Sequence, residues 1–324
     1  MYTLKICQEI IEKHLRGIKL PENPALLYDP IRYVIGSEAK RIRPSLALLA
    51  CNLFTDLIDG SINPALAIEL FHNFTLLHDD IMDNSDLRRG HPSVHKKWNI
   101  NIAILSGDAM LIKAYEYISK CPGSVLSEVL AVFNKTALEV CEGQQFDMDF
   151  ESNTEVTVKD YLKMIELKTS VLIAASLKIG AICGGAGERD SDLLYQFGRN
   201  LGIAFQLQDD LLDVYADPVV FGKSMGGDII ANKKTYLLIS SLILAKGEIL
   251  KSLNDWIRRK EFNRDEKIKV FIDIYNNLNI KELTESRIKA LFGEAQLSLD
   301  KVSVSKEKKR ELREFASQLM IREK

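Results

Sequence analysis

Two short clusters of aspartates carry the clearest chemistry in this sequence. They share the spacing DDxxD and lie 130 residues apart: Asp79, Asp80 and Asp83, then Asp209, Asp210 and Asp213. On a helix, the first and last aspartate of such a cluster lie about 40° apart on one face. Like charges this close repel each other, so a bound cation is expected, and sets of oxygen ligands suit Mg²⁺. One DDxxD can arise by chance, whereas two copies beside apolar residues predict a magnesium site.

Basic residues that could bind a phosphate occur near both clusters. They are Lys40, Arg41, Arg43, Arg88, Arg89, Lys168, Lys223 and Lys233. Such residues usually form surface ion pairs, but Lys168 stands apart because a long apolar run follows it from Val171. Mg²⁺ keeps several waters and binds through a few carboxylates together with substrate phosphates. Two facing helices could present the six carboxylates to two or three Mg²⁺ ions, with Mn²⁺ as a substitute. The ligand that this pattern predicts is a diphosphate.

Helical periodicity runs through most of the chain, and strand signals are weak. Apolar residues that recur at intervals of three and four predict long helices near residues 64–85, 93–120, 124–150, 158–185 and 191–216. The segments 171–183 and 236–245 are apolar on all sides and are predicted to be buried central helices. No Gly/Ser-rich or Pro-rich linker divides the chain. We therefore expect an all-α protein with a single domain over residues 1–324.

The composition argues against several classes of function. The 324 residues include 43 Lys plus Arg and 45 Asp plus Glu, a net charge of −2, whereas a nucleic-acid binder needs a basic excess. No apolar run reaches the ~18 residues that a membrane span needs, and residues 1–20 carry too many charges for a signal peptide. The five cysteines form no CxxC pair. We expect a reduced, cytoplasmic protein with neither a zinc site nor a disulfide framework.

A series of motifs around these clusters resembles one family, the trans-isoprenyl diphosphate (polyprenyl) synthases, over nearly the whole chain. The motifs are Lys40–Pro44, Asp79–Asp83, Leu87–Gly90, Gly107-Asp108, Gly143-Gln144 with Asp147, Lys168-Thr169, Phe205–Asp213, Gly222-Lys223 and Lys233 with Thr235-Tyr236. The resemblance implies an isoprenoid synthase-type helical bundle around a central cavity, usually as a homodimer. It also implies Mg²⁺-dependent, head-to-tail condensation of isopentenyl diphosphate with an allylic diphosphate.

The resemblance assigns metal-binding roles to both clusters. Asp79, Asp83 and Asp209 look like the ligands of the Mg²⁺ ions that hold the allylic diphosphate. Three further aspartates match positions with supporting or direct roles: Asp80, Asp210 and Asp213.

Other matched residues are implied to bind or activate the substrates. The cations implied for the allylic diphosphate are Arg88, Lys168, Lys233 and, in the same class, Lys223. The residues implied for isopentenyl diphosphate, bound without metal, are Lys40, Arg43, His72 and Arg89. Thr169 and Gln206 match positions near the reacting carbon. Gln144 and Asp147 match a helix that lines the first cluster.

One position departs from the family pattern. Glu38 and Ala39 stand before Lys40 where the family usually has two glycines. Ala39 is tolerated if the backbone there has a negative φ, whereas a positive φ would require a different loop.

The length of the product is predicted from residues that precede the first cluster on its helix. Thr75 and Phe71 lie one and two turns before Asp79, and Phe71 is about 12 Å along the helix. In the family, the positions of Phe74 and Thr75 set the floor of the cavity, and an aromatic followed by a small residue resembles the archaeal-type C20 synthases. Phe71 adds a second plug. The resemblance thus favours a C20 product (geranylgeranyl diphosphate) over C15 (farnesyl diphosphate), although both phenylalanines could also be ordinary core.

Three alternatives remain. A class I terpene cyclase has one Asp-rich motif and a differently spaced Asn/Ser/Glu motif, and a second full DDxxD disfavours it. A non-catalytic or regulatory subunit of a heteromeric prenyl synthase usually lacks one Asp cluster, and both are intact here. A carboxylate-bridged di-iron bundle needs two Glu-x-x-His motifs, whereas only Glu69–His72 has this spacing.

Overall fold

The structure, a computed structural model, describes residues 2–153, 155–216 and 225–320. The helices up to the first cluster and just beyond it are α1 (Leu4–Arg16), α2 (Ala25–Gly36), α3 (Ile42–Asn52), α4 (Asp59–Met82), α5 (Val94–Lys97) and α6 (Ile100–Ile118). Two short strands, β1 (Leu87–Arg88) and β2 (His91–Pro92), pair antiparallel between α4 and α5. The middle of the chain forms α7 (Leu126–Ser152), α8 (Val158–Ile165), a π-helical turn (Glu166–Ser170), α9 (Val171–Cys183) and α10 (Glu188–Tyr215).

The remaining helices are α11 (Gly227–Ile230), α12 (Tyr236–Leu244), α13 (Gly247–Arg258), α14 (Arg264–Asn277), α15 (Ile280–Lys301) and α16 (Arg310–Met320). In the described residues, the only strands are those of the two-residue hairpin, which confirms the prediction of an all-α protein. None of the described helices combines the length and the apolar character of a membrane span.

Side chains at the helix starts explain several of these boundaries. Residues at the N-cap position accept a hydrogen bond from a backbone N–H of the first turn; they are Thr3, Asn99, Thr157, Thr235 and Asn263. The helix predicted over 93–120 is divided, because Asn99 caps a new helix after the short α5. The helix predicted over 158–185 is interrupted by the π-helical turn, which apolar periodicity does not reveal.

Close contacts divide the chain into two compact units, while the single domain over 1–324 stays a prediction. The first unit comprises Met1–Ala137, Leu172–Tyr195 and Lys301–Leu312. Within it α4 packs against α3 and α6, α1 packs against α3, and α2 packs against α6. The residues of α9 are buried from Val171 to Ile182 apart from the partly exposed Lys178, as predicted for 171–183.

The second unit comprises Leu138–Val171, Gln196–Asp300 and Arg313–Lys324. Its apolar core joins residues of α8, the C-terminal half of α10, α12 and α14, among them Tyr161, Leu207 and Phe271. The predicted burial of 236–245 holds for Tyr236–Ser241. It was wrong for Ile243 and Leu244, which are 64% and 44% exposed at the end of α12.

Candidate active site

The first aspartate cluster lies at the C-terminal end of α4, in the first unit. Asp80 points into the protein and is 3% exposed, Asp79 is partly exposed and Asp83 is exposed. Arg88 Nε donates to Asp80 Oδ1 over 2.8 Å, and Arg88 Nη2 lies 2.5 Å from the same oxygen and 3.4 Å from Asp79 Oδ2. Burial raises the pKa of Asp80, against the opposing effect of Arg88. Arg88 therefore binds the cluster itself and fixes Asp80, while Asp79 and Asp83 are more accessible.

The β1–β2 hairpin places the two arginines that follow the cluster. Its turn consists of Arg89 and Gly90, which have φ values of 53° and 78°, as a two-residue type I′ turn requires. Ser93 closes the loop: its Oγ donates to the carbonyl of Ser85 over 2.6 Å. The sequence analysis predicted no hairpin, because Arg-Gly is not one of the dipeptides that usually mark such a turn.

Three of the residues predicted to bind isopentenyl diphosphate form a second group in the same unit. Arg43 Nη1 lies 3.1 Å from His72 Nε2, and Arg89 Nη1 donates to Ser37 Oγ over 3.2 Å. Burial lowers the pKa of His72 well below its usual value, and the charges of Arg43 and Arg89 add to the effect. Burial also lowers the pKa of Arg43 to about 10, although Glu69 opposes it. His72 is therefore neutral and can accept a hydrogen bond from Arg43.

This group has features of an anion site. Buried Arg43 Nε has no hydrogen-bond partner among the described residues. Arg43 and Arg89 are close enough for each to affect the titration of His72. Two guanidinium groups that repel each other around a neutral imidazole are stabilised when an anion binds between them.

Arg41 is turned away from this site, although the sequence analysis counted it among the basic residues near the clusters. Its side chain is 1% exposed, with Nε 2.7 Å from Glu12 Oε1 and Nη1 2.7 Å from Glu69 Oε1. The backbone of Arg41 has φ 46° and ψ 40°. In the loop of residues 37–41 the positive φ thus falls on Arg41 and not on Ala39, so alanine fits at position 39.

Lys168 and its partners form a further group, in the second unit. Lys168 lies in the π-helical turn, and its Nζ is 2.6 Å from Asp147 Oδ2 on α7. The next residue, Thr169, donates from Oγ1 to Gln206 Oε1 over 3.3 Å. The structure thus brings together four residues that the resemblance selected separately: Asp147, Lys168, Thr169 and Gln206. Short π-helical segments are frequent at functional sites.

The second aspartate cluster lies near the C-terminal end of α10, and Asp210 and Asp213 both bind protein groups. Asp210 is buried, accepts a hydrogen bond from Tyr161 Oη and lies 3.3 Å from Gln206 Nε2. Burial, together with the charge of Asp228, raises the pKa of Asp210 to about 7. Asp213 Oδ2 accepts a hydrogen bond from the Asp228 N–H over 3.0 Å.

Two predicted cations follow this cluster. The backbone N–H of Lys233 donates to the carbonyl of Asp228 over 2.9 Å, so the turn after α11 places Lys233. Lys223 lies outside the described residues.

The available ligands fit magnesium held partly by substrate. Among the described residues, no three His, Cys, Asp or Glu side chains converge into a ready-made metal site. Carboxylate oxygens alone are offered at Asp79 and Asp83, one helical turn apart, without the His and Cys ligands typical of zinc. Such a partial set suits Mg²⁺, which completes its shell with water and phosphate oxygens.

The residues predicted to set product length form an aromatic row in the first unit. Ring centroids are 5.7 Å apart for Phe71 and Phe74, 5.5 Å for Phe71 and Phe133, and 4.8 Å for Phe74 and His78. Phe71 is 1% exposed, whereas Phe74 is partly exposed. Thr75 Oγ1 donates to the His72 carbonyl over 2.8 Å. Phe74, rather than Phe71, therefore has a surface that a substrate chain could reach.

Sequence reasoning did not select several residues that hold these groups in place. Tyr161 binds Asp210, Glu69 binds Arg41, and Glu166, the first residue of the π-helical turn, has its Oε2 2.6 Å from Arg199 Nη2. Tyr161 lies on the same face of α8 as apolar residues, so its position in the sequence predicts only a core residue. Glu69 carried a weak signal, as a carboxylate inside the apolar α4.

Comparison with known proteins identifies the family. The model of the polyprenyl synthetase family matches residues 24–275, so the chain belongs to this family. It is 45% identical over 235 residues to the geranylgeranyl diphosphate synthase of Methanosarcina mazei, which covers 69% of this chain and 72% of that protein. A crystal structure of a geranylgeranyl pyrophosphate synthase superposes over 100% of both chains with a TM-score of 0.95 and 42% identity.

A second solved structure is informative about ligands. The geranylgeranyl pyrophosphate synthase of Corynebacterium glutamicum, complexed with isoprenyl diphosphate and magnesium, has a TM-score of 0.84 and 26% identity, with 98% of both chains covered. Together with the family match, these likenesses confirm the resemblance and the isoprenoid synthase-type fold class that the sequence predicted.

Proposed function

We propose that this protein is a magnesium-dependent trans-prenyltransferase that adds isopentenyl diphosphate head to tail to an allylic diphosphate. The observation that supports it best is that α4 contributes to two different sites, one of basic residues and one of aspartates. Arg43 pairs with His72 and Arg89 lies close to both, and on α4 the Asp79–Asp83 cluster begins about two turns after His72. This reaction requires one diphosphate bound by basic side chains and another bound through magnesium.

The reaction begins when the C–O bond of the allylic substrate breaks. Negative charge then develops on the departing diphosphate, and bound magnesium supplies charge stabilisation there. Arg88, Lys168 and Lys233 contribute the positive charges of the chain, with Lys223 in the same role. Arg88 is oriented by Asp80, which we assign as a positioning residue. Asp79, Asp83 and Asp209 are the proposed metal ligands, while Asp210 and Asp213 hold neighbouring protein groups.

The second step joins the two substrates. Lys40, Arg43, His72 and Arg89 hold isopentenyl diphosphate so that its double bond lies ~3–3.5 Å from the cationic carbon. The Thr169 hydroxyl, the Gln206 amide and the Lys168 carbonyl stabilise that cation through their dipoles. The new C–C bond leaves a cation on the former isopentenyl unit, which loses a proton to the departing diphosphate.

The product is proposed to be C20, geranylgeranyl diphosphate. Phe74, followed by the smaller Thr75, is the proposed floor of the chain cavity, and the buried Phe71 supports it. The proposed assembly is a cytoplasmic homodimer that binds two or three Mg²⁺, or Mn²⁺ in their place. Apolar residues of α6 are exposed, Leu105 to 59% and Ile112 to 69%, which supports a second copy of the chain packing against this helix.

Product mass tests the proposal directly. Purified protein is incubated with Mg²⁺, isopentenyl diphosphate and, separately, C5, C10 and C15 allylic diphosphates, and the prenyl alcohols are resolved after phosphatase treatment. A C20 product is expected. A C15 product would still support the proposed activity, but it would indicate a shallower chain cavity. Chains of C30 or longer would overturn the assignment of Phe74. A cyclic hydrocarbon would favour a terpene cyclase, and the absence of any product would favour a non-catalytic subunit.

A further inference from the structure

The loop that carries Lys40 is held by the N-terminal helix α1. Gln8 Nε2 donates to the carbonyl of Lys40 over 2.6 Å. One turn later on the same face, Glu12 Oε1 accepts from Arg41 Nε over 2.7 Å. Two successive residues of the loop, Lys40 and Arg41, are therefore bound by two residues of α1 at positions i and i+4, which share a helix face.

Arg41 also binds other parts of the first unit. Its Nη1 donates to Glu69 on α4, three residues before His72, and its Nη2 donates to the carbonyls of Ile35 and Ser37 over 2.6 and 2.9 Å. The left-handed backbone of Arg41 is uncommon for a residue with a side chain. These hydrogen bonds keep the loop in that conformation, and Arg43 follows two residues later.

Helix α1 is itself firmly packed, so it can serve as a support. Cys7, Ile11 and Leu15 are buried along its inner face. The helix start is tied to distant parts of the same unit, because the Leu4 N–H donates to Glu311 and the Tyr2 N–H donates to Asn52 Oδ1. Residues 4–16 precede the segment 24–275 that matches the family model.

We propose that Gln8 and Glu12 are positioning residues that set the geometry of the isopentenyl diphosphate site through the backbone of residues 40–43. They touch no substrate. Loss of the Glu12 charge weakens one of the two salt bridges of buried Arg41, so the loop relaxes and Lys40 and Arg43 lose their alignment. The inference rests on the proposed function, because it assigns the effect to one of two substrates.

Steady-state kinetics of Glu12→Gln and Gln8→Ala test this. Because a hydrogen bond to a buried charge is involved, we expect the KM for isopentenyl diphosphate to rise about tenfold in Glu12→Gln, and less in Gln8→Ala. We expect kcat and the KM for the allylic substrate to stay within about twofold. Glu9→Gln is the matched control, since Glu9 is an exposed glutamate of the same helix.

A second control separates the two partners of Glu12. Arg16 lies 3.9 Å from Glu12, so Arg16→Gln removes that weaker pair and is expected to leave both KM values unchanged. The proposal is overturned if the two KM values rise together, if the KM for isopentenyl diphosphate does not change, or if either control reproduces the effect. A wild-type protein that forms no prenyl product would overturn the proposed function, and with it this inference.

Discussion

Gly143 on α7 and Lys168 in the π-helical turn are packed backbone to backbone. A Cβ on Gly143 would lie under 3.0 Å from the Lys168 nitrogen, a distance that real Cβ atoms essentially never show. One turn further along α7, Asp147 accepts the salt bridge from the Lys168 side chain. The missing side chain at position 143 thus allows α7 to reach the residue that is proposed to bind the allylic diphosphate.

Gly143→Ala should displace Lys168 and lower activity. The added methyl group meets backbone rather than a flexible side chain, so about 1–3 kcal/mol of unfolding free energy should be lost. The measurement is kcat/KM for the allylic substrate together with thermal unfolding. Gly293→Ala is the control, because this glycine of α15 has open space around it and should gain up to about 1 kcal/mol. Equal effects of the two substitutions would contradict the close packing.

Asp79→Asn and Asp83→Asn should each reduce turnover by a factor on the order of a hundred to a thousand, the range for loss of one electrostatic group in a site. The amide keeps the size of the side chain but binds Mg²⁺ less well, so the concentration of Mg²⁺ at half-maximal rate should rise. Asp86→Asn is the control, since Asp86 is exposed and pairs with Lys96. Near-normal activity and Mg²⁺ dependence in both variants would show that the first cluster does not bind the metal.

Tyr161→Phe should shift the pH dependence of the reaction. The pKa of Asp210 is already raised to about 7, and the Tyr161 hydroxyl opposes the rise by donating to the carboxylate. Without that hydroxyl the pKa should rise further, so the acid limb of the kcat/KM profile should move to higher pH.

The control for Tyr161→Phe is Tyr275→Phe, a buried tyrosine of the same apolar core. Its pH profile should match that of the wild type. If Tyr161→Phe lowers activity equally at all pH values, the hydroxyl does not act through the ionisation of Asp210.

His72 should make folding stability depend on pH. Its pKa in the folded protein lies well below the value of 6.5 expected for an unfolded chain. The unfolded state therefore binds this proton first, and stability should be lost as the pH falls through about 6.5. Denaturant unfolding at pH 7.5 and pH 5.5 measures the loss, and His72→Gln should make it smaller. His91→Gln, a change at an exposed histidine, should leave the wild-type loss in place; equal losses in all three proteins would contradict the assignment.

Phe74→Ala should lengthen the product without unfolding the protein. Phe74 is partly exposed and contacts Phe71 and His78, so its removal opens space along α4. The measurement is the mass of the prenyl alcohols. Phe71→Ala should instead cost about 3–5 kcal/mol of stability, because Phe71 is fully packed against Phe74 and Phe133. An unchanged product from Phe74→Ala would make Phe74 an ordinary core residue.

Much of the fold and the chemistry was visible in the sequence, because both depend on local spacing. The period of apolar residues predicted the long helices, and α4, α7 and α10 lie within a few residues of their predicted bounds. The DDxxD spacing places two carboxylates on one helix face wherever the helix lies. The order and spacing of the acidic and basic motifs together were sufficient to indicate the family.

Tertiary structure decided which of the charged side chains are buried inside the protein. Asp80 and Asp79 have the same residue type and adjacent positions, yet Asp80 is buried against Arg88 because the β1–β2 hairpin folds back onto α4. Arg41 and Arg43 differ in the same way, since Arg41 forms salt bridges with Glu12 and Glu69 whereas Arg43 lies against His72. No periodicity encodes such pairings, because each joins residues of different secondary-structure elements. The sequence therefore determined the chemical groups, and packing between elements determined which of them are buried and which stay accessible.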